Sequence, residues 1–493
     1  MGGVRVVVVG AGLGGLSAAC HLAGRGHEVV VLERSDQPGG RVAVVREGGY
    51  TLDIGATVLT MTGILADVFT AAGSSLDDYL TLEPVDPMYR ATFPDREPIL
   101  VRHGQAAMTE EIRAKCGAGE AEAFGWFCRW LSELYELELP NFIDRNFDSP
   151  LDLAWPLGPL VGLVRTGALR KLSSVVDGFF TDDRLRKLFS FQAMYAGLSP
   201  FDALAVYGVI TYMDTVEGVF FPHGGMNAVG RGLADAAAKA GATVRYGAEV
   251  ERILRRPGTN GAVRGVRLAD GEVIVADAVV ANPDLPVAYR TLVPEVPAPR
   301  VARKGEYSPS CALWVAGVHG DLPDDAAHHN IHFGGQWREA FEALLTSGTR
   351  MPDPSILVTS HSHSDPSLAP PGGSTLYVLE PTPNLDGRID WHTDRKWVRE
   401  TMIDRVRSYG YPVDDVRVER FYDPTDWERM GMERGTPFGI SHRFFQTGPF
   451  RPNNVDKRVP GLVFVGSSTV PGVGVPMVLL SGRLAANRVE GTK

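Results

Sequence analysis

Residues 6 to 41 read VVVVGAGLGGLSAACHLAGRGHEVVVLERSDQPGGR and leave the chain little choice at its start. Val6 to Val9 are four β-branched residues in a row, which suits a strand buried on both faces of a parallel sheet. Gly10, Gly12 and Gly15 follow in the G-x-G-x-x-G spacing. That spacing permits a tight strand-to-helix turn, close backbone approach to a pyrophosphate, and close packing of helix on sheet. The helix expected from about Leu13 to Ala23 aims its free N–H groups and positive dipole end at those phosphates. A second strand, Val29 to Leu32, ends at Glu33, where an acid accepts hydrogen bonds from ribose hydroxyls. Strand, turn, helix, strand and terminal acid occur in order, so the chain opens on a dinucleotide-binding unit.

Two later stretches carry the same grammar. Phe221-Pro-His-Gly-Gly-Met-Asn-Ala-Val229 leads into an alanine-rich helix to about Ala240. Strand-like segments at 241–246 and 248–254 come next, and then a hairpin turning at Asp270-Gly271 that runs into a second buried strand ending at Ala281. Near the C-terminus, Gly461-Leu-Val-Phe-Val-Gly466 is again a buried strand ending in glycine. A Gly/Pro-rich turn and a helix follow it. The expected organisation is a discontinuous nucleotide domain of residues 1–60, 218–290 and 455–493, with a second domain of residues 61–217 and 291–454.

At 493 residues the chain suits two intertwined domains. A net charge of −10 offers nothing to nucleic acid. Cys20, Cys116, Cys128 and Cys311 are scattered, which fits reduced thiols better than disulfides or a zinc site. The first strand is expected to begin by Val4, and no signal peptide is expected ahead of it. The longest uncharged apolar stretch, Leu153 to Val164, has twelve residues and two prolines, short of the roughly 20 that span a bilayer. The expected location is cytoplasmic, in solution or on a membrane surface.

Gly39-Gly40-Arg41 followed by Tyr50-Thr-Leu-Asp-Ile-Gly-Ala-Thr57 resembles the amine oxidase and carotenoid desaturase branch of flavoproteins. Over its whole length the chain resembles the bacterial and fungal phytoene desaturase family. The resemblance is carried by these segments, by FFPHGGMNAVGRGLADAAAKAGATV, by DPTDWERMGMERGTPFGISHRFFQTGPFRPNN, and by VGSSTVPGVGVPMVLLSGRLAA. The part most particular to carotenoid desaturases is Gly435 to Asn453. Many members have Thr-His-Pro-Gly in the last segment, where this chain has Thr469-Val470-Pro471-Gly472, so no role for that histidine is carried over.

The resemblance implies an α/β fold with a Rossmann-like, glutathione-reductase-type FAD domain, an inserted α+β substrate domain and a helical membrane-facing region. It implies FAD held by Gly10, Ala11, Gly12, Gly14, Gly15, Glu33, Arg34, Gly40, Arg41, Gly55, Ala56, Thr57, Val250, Gly466, Ser467, Val475, Pro476 and Met477. Arg41 would approach the phosphates, and the backbone at Val250 the adenine. The implied reaction removes two hydrogens at a time from a linear C40 polyene, with the flavin as hydride acceptor. Oxygen or a quinone is the final electron acceptor, and a homo-oligomer is compatible with this reading.

No catalytic base stands out, so a weak base or water is expected to take the proton. His223 and His442 could approach the flavin, although hydrogen-bonded structural roles fit them better. His328, His329, His332, His361 and His363 lack a helical ligand register, and no metal is expected. A C40 hydrocarbon gains about 0.8 kcal/mol per CH₂ by staying in lipid, so the enzyme must go to the membrane. Pro150 to Phe180 is the expected contact, through Leu153, Trp155, Leu157, Leu160, Val161, Leu163 and Val164 with Arg165, Arg170 and Lys171; a buried helix is the alternative. Phe124 to Leu137 reads as a core helix. The open rivals are a carotenoid cis-trans isomerase, a carotene end-group oxidase, a non-enzymatic prenyl-lipid carrier and an amine oxidase.

Overall fold

A computed structural model describes residues 3–154, 157–257 and 261–491. The opening run becomes the strand Arg5–Val9, with Val6, Val7 and Val8 fully buried, and the helix Leu13–Gly24 follows it. Arg5–Val9 is the centre of a five-stranded parallel sheet. Glu28–Leu32 and then Thr243–Arg245 lie on one side of it, and Ala278–Ala281 and then Leu462–Phe464 on the other. Strands distant in sequence are therefore adjacent in space. The Asp270-Gly271 turn joins Val263–Leu268 to Val273–Val275 in an antiparallel hairpin beside this sheet.

The last helix, Val475–Val489, lies against the first. The helices touch so closely that a Cβ on Gly482 would sit 2.6 Å from the Ser17 side chain, and Ser17 Oγ donates to Leu479 O at 2.7 Å. This contact gives the Leu480-Ser-Gly-Arg segment its physical meaning: the glycine lets the two ends of the chain meet.

A second sheet has seven strands in the spatial order Val416–Tyr422, Ser310–His319, Gly373–Thr382, Ile356–Thr359, His329–His332, Tyr89–Phe93 and Arg96–Val101. Its pairs are antiparallel except His329–His332 with Tyr89–Phe93. A set of helices packs together beside the two sheets. The longest, Ala118–Glu138, buries Phe124, Phe127, Leu131 and Leu134 and leaves Trp126 exposed beneath the Arg129 guanidinium. A π-turn, Leu139–Ile143, continues it. Among the described residues, no helix is long and apolar enough to cross a membrane.

The stretch after Pro150 forms the helix Leu157–Arg165. Leu157, Val161 and Val164 are more than half exposed, but Leu163 is buried against Leu134 and Ala168, and Leu160 is half-buried. The expectation that Leu163 faces outward is thus corrected: an amphipathic helix has two faces, and this one turns Leu163 toward the long helix. Trp155 and the side chain of Leu153 lie outside the described residues.

Candidate functional site

A continuous cavity of about 1230 Å³ runs between the two sheets. That exceeds the roughly 300–1,000 Å³ of a site for one small ligand. One end is walled by the glycine turns of the parallel sheet. The other is apolar, with Leu163, Val209, Met213, Phe333, Trp337 and Ile356 on its surface.

At the nucleotide end, the Glu33 carboxylate is held by two backbone donors, Ala11 N at 2.7 Å and Ser35 N at 2.9 Å. The glycines are required by packing as well as by ligand approach. A Cβ on Gly15 would lie 2.2 Å from Gly10 O, one on Gly12 2.5 Å from the Asn282 amide, and one on Gly14 3.1 Å from the same side chain. Gly10, Gly12, Glu33, Arg34, Gly40, Arg41 and Val250 line the cavity. Ala11, Gly14 and Gly15 sit behind it and hold the turn. Arg34 is anchored on Met430 O at 2.7 Å.

Gly55, Ala56 and Thr57 form the adjoining wall. Ala56 N donates to Arg41 O at 3.1 Å and Tyr377 OH to Gly55 O at 2.9 Å, while a Cβ on Gly55 would sit 1.9 Å from Arg41 O. The Pro-His-Gly-Gly-Met-Asn segment braces both glycine turns. Asn227 Nδ2 donates to Pro38 O at 3.1 Å and Val42 O at 3.0 Å, and Met226 N to Asp53 at 2.8 Å. Asp53 is buried beneath Gly225, and burial raises its pKa to about 7 against the lowering effect of those backbone donors.

The C-terminal turn closes this end. Gly466 and Gly474 take positive φ values of 104° and 113°, conformations that favour glycine. Gly466, Ser467, Val475, Pro476 and Met477 line the cavity where the last helix begins. Arg41 donates to Ser467 Oγ and lies 3.6 Å from Asp284. Asp284 also accepts from Ser468 Oγ and from Glu433 N at 2.9 Å.

Asn282 and Asp284 were missed in sequence. Their signal is weak: an Asn-Pro-Asp directly after a buried strand, with Asp284 capping the next helix through Leu285 N at 3.1 Å.

The Gly435–Asn453 stretch is fastened by Arg451. Its buried guanidinium donates to Ile440 O and Thr469 O at 3.0 Å, Gln446 O at 3.2 Å and Ser467 O at 2.5 Å. Burial pulls its pKa down to about 10, which leaves it charged at neutral pH.

His442 lines the cavity, its ring fitted against Gly472 and its Nε2 3.4 Å from Val473 N. Burial holds it well below the ordinary histidine range, hence neutral. His223 has the hydrogen-bonded setting that fitted it better than an approach to the flavin. It lies outside the cavity wall, half exposed, paired with Glu83 at 2.8 Å and Asp365 at 3.5 Å, because those two carboxylates draw the ring outward. His328, His329, His332 and His361 are buried in and beside the second sheet, and burial lowers the pKa of each. Among the described residues no three His, Cys, Asp or Glu side chains are grouped to hold a metal.

The apolar channel contains two carboxyl groups that patterning did not single out, Glu138 and Asp214. Where it approaches the surface it is lined by Leu160, Leu169, Phe444 and Phe450. Leu157, Val161 and Val164, on the helix that carries Leu160, and Phe445, next to Phe444, are 55–71% exposed.

The family model described as flavin-containing amine oxidoreductase matches residues 13–490. A phytoene dehydrogenase of Streptomyces griseus is 44% identical over 99% of this chain and 96% of its own length. A zeta-carotene-forming phytoene desaturase of Myxococcus xanthus is 38% identical over 99% of this chain and 94% of its own. A solved oxidoreductase from Methanosarcina mazei shares the fold with a TM-score of 0.63 at 17% identity, covering 97% of this chain and 99% of its own. The cradle suits FAD: glycine backbone free of side-chain bulk, a carboxylate, Glu33, fixed by two backbone donors, and the Arg41 guanidinium on the same cavity wall. The chain belongs to the flavin-containing amine oxidoreductases, in their phytoene desaturase family, and is an FAD-dependent oxidoreductase.

Proposed function

We propose that this protein desaturates phytoene or a closely related linear polyene in successive steps, drawing it from a membrane and passing the electrons to oxygen or a quinone. The observation that carries this reading is the cavity joining the nucleotide cradle to an apolar channel, whose lining residue Leu160 sits on a helix that exposes Leu157, Val161 and Val164. A hydrocarbon has no polar handle. A channel of this lining holds it by burial alone, at about 25 cal/mol per Å² of apolar surface.

When bound, FAD supplies the two-electron hydride acceptor. We assign its adenosine half to Glu33, Arg34 and the Val250 backbone, and its phosphates to Gly10, Gly12, Gly40 and Arg41. Its ring end falls to Gly55, Ala56, Thr57, Gly466, Ser467, Val475, Pro476 and Met477, with Ala11, Gly14 and Gly15 shaping the turn. The channel walls exclude water and align the chain. The nucleotide domain is drawn from residues 1–60, 218–290 and 455–493. We place the protein at the cytoplasmic membrane face, bound peripherally through Leu157, Val161 and Val164, as a monomer or homo-oligomer.

The test is anaerobic incubation of FAD-loaded protein with phytoene in liposomes, following flavin absorbance and polyene absorbance together. Loss of flavin colour with a red-shifted polyene is expected. Neither change, in liposomes that hold the protein, refutes the reading and redirects the search to cis-trans isomerisation of lycopene or to end-group oxidation.

A further inference from the structure

Desaturation removes hydrogens from two adjacent carbons. If one leaves with its bonding pair as hydride, the other must leave as a proton, and something in an apolar channel must receive it. The channel offers two carboxyl groups for this, Glu138 and Asp214.

Glu138 ends the long helix at the π-turn and is 6% exposed, and its Oε1 has no hydrogen-bond partner among the described residues. Burial holds its pKa well above the carboxylate range, with no opposing cause among the described residues.

Asp214 is built differently. It sits in the last turn of the helix Gly208–Thr215, 4% exposed, on the channel wall. One carboxylate oxygen accepts from Gln192 Nε2 at 3.3 Å and the other from Thr215 Oγ1 at 3.0 Å. Gln192 is itself aimed, its Nε2 also donating to Leu188 O at 3.2 Å, and its Oε1 is buried without a partner among the described residues. Tyr195 on the same wall and Tyr89 behind it are the other titratable groups facing Asp214.

We propose that Asp214 is the catalytic residue that accepts the proton, with Gln192 as the residue that positions it. The C–H bond beside the carbon that has lost hydride breaks. Its hydrogen goes to an Asp214 carboxylate oxygen, and its electron pair becomes the second bond of the new alkene. Asp214 ends as a carboxylic acid and returns the proton to water before the next step. The two electrons removed leave through FAD to oxygen or a quinone. Two donors stabilise the anion and burial opposes it, which raises the Asp214 pKa to about 7, where a general base works best at neutral pH. The inference gives the expected weak base an identity, and it rests on the desaturase reading.

The test uses full-length, FAD-loaded protein. Wild type should show a single-turnover rate of polyene formation from phytoene that rises with pH through about 7. Asp214→Asn should keep its FAD and lower that rate by roughly 10²- to 10⁴-fold with no pH rise, the range expected for a lost general base. Asp214→Glu should restore part of both, and Glu138→Gln should keep the rise. A second readout needs no turnover. Because the folded-state pKa lies above the unfolded value, wild type should lose thermal stability as pH rises from about 4 to 7, by more than Asp214→Asn does. A flat wild-type profile between pH 6 and 8, an Asp214→Asn rate within about threefold of wild type, or loss of the rise in Glu138→Gln alone overturns the assignment. Wild type that bleaches no flavin with phytoene refutes the desaturase reading instead.

Discussion

Replacing Arg451 by methionine tests whether one buried cation ties the family-specific stretch to the flavin end of the cavity. Four carbonyl oxygens, those of Ile440, Gln446, Ser467 and Thr469, lose their charged donor. Leaving a buried acceptor unsatisfied costs about 1–3 kcal/mol, so the four together cost about 8 kcal/mol. Removing the guanidinium returns its own desolvation cost, several kcal/mol for a buried ion. The expected net loss is about 4 kcal/mol.

Unfolding entropy of about 2.1 cal/mol/K per residue, over 493 residues, makes this a fall of about 4 °C in Tm if the chain unfolds as one unit. The Ser467 and Thr469 carbonyls belong to the turn to which we assign the flavin ring end, so part of the loss should fall on cofactor affinity. A Kd for FAD raised roughly ten- to a hundredfold is expected, or about 1.4–2.7 kcal/mol. Arg451→Lys, with three donors in place of five, should fall between the two. Thermal shift of apo and FAD-loaded protein, with flavin titration by fluorescence, measures both effects. A methionine variant that melts within about 1 °C of wild type and binds FAD equally well would show that the four carbonyls find other donors.

Gly15→Ala places a methyl 2.2 Å from Gly10 O, a contact with backbone that cannot swing aside, and purified protein should carry little or no FAD; full flavin occupancy would sink the packing argument. Asp53, raised to about 7 by burial, binds its proton more tightly folded than unfolded. Stability it contributes at acid pH is therefore lost as pH climbs from about 4 to 7, by roughly 4 kcal/mol, and Asp53→Asn should narrow that loss in urea melts at pH 5 and 8. Val161→Asp with Val164→Asp, both on the exposed face, should reduce co-sedimentation with liposomes at unchanged Tm and FAD content; undiminished sedimentation places the membrane contact elsewhere.

The dinucleotide unit was legible in sequence because its determinants are local. Four valines, three glycines at fixed spacing and an acid after the second strand each act within a few residues of where they stand, and the turn works wherever the fold carries it. The Asp-Gly hairpin and the glycine-ended strand near residue 466 were legible for the same reason. Side-chain direction was a different matter. Helical periodicity says that Leu157, Val161 and Val164 share a face and that Leu163 lies off it, but only packing against Leu134 decides which face is inside. His223 and His442 sit in equally suggestive segments, and it took Glu83 and Asp365, more than a hundred residues away, to turn one of them outward.

Arg451 and the carboxyls of Glu138 and Asp214 were invisible to patterning, since a lone charged residue in a helix or loop reads as solvated until the other side of the chain closes over it. The sequence by itself determined what this protein binds at its nucleotide end, because phosphate recognition is written in backbone turns. Tertiary structure decided which ionisable groups face the apolar channel, because burial, and with it their protonation, exists only once distant segments meet.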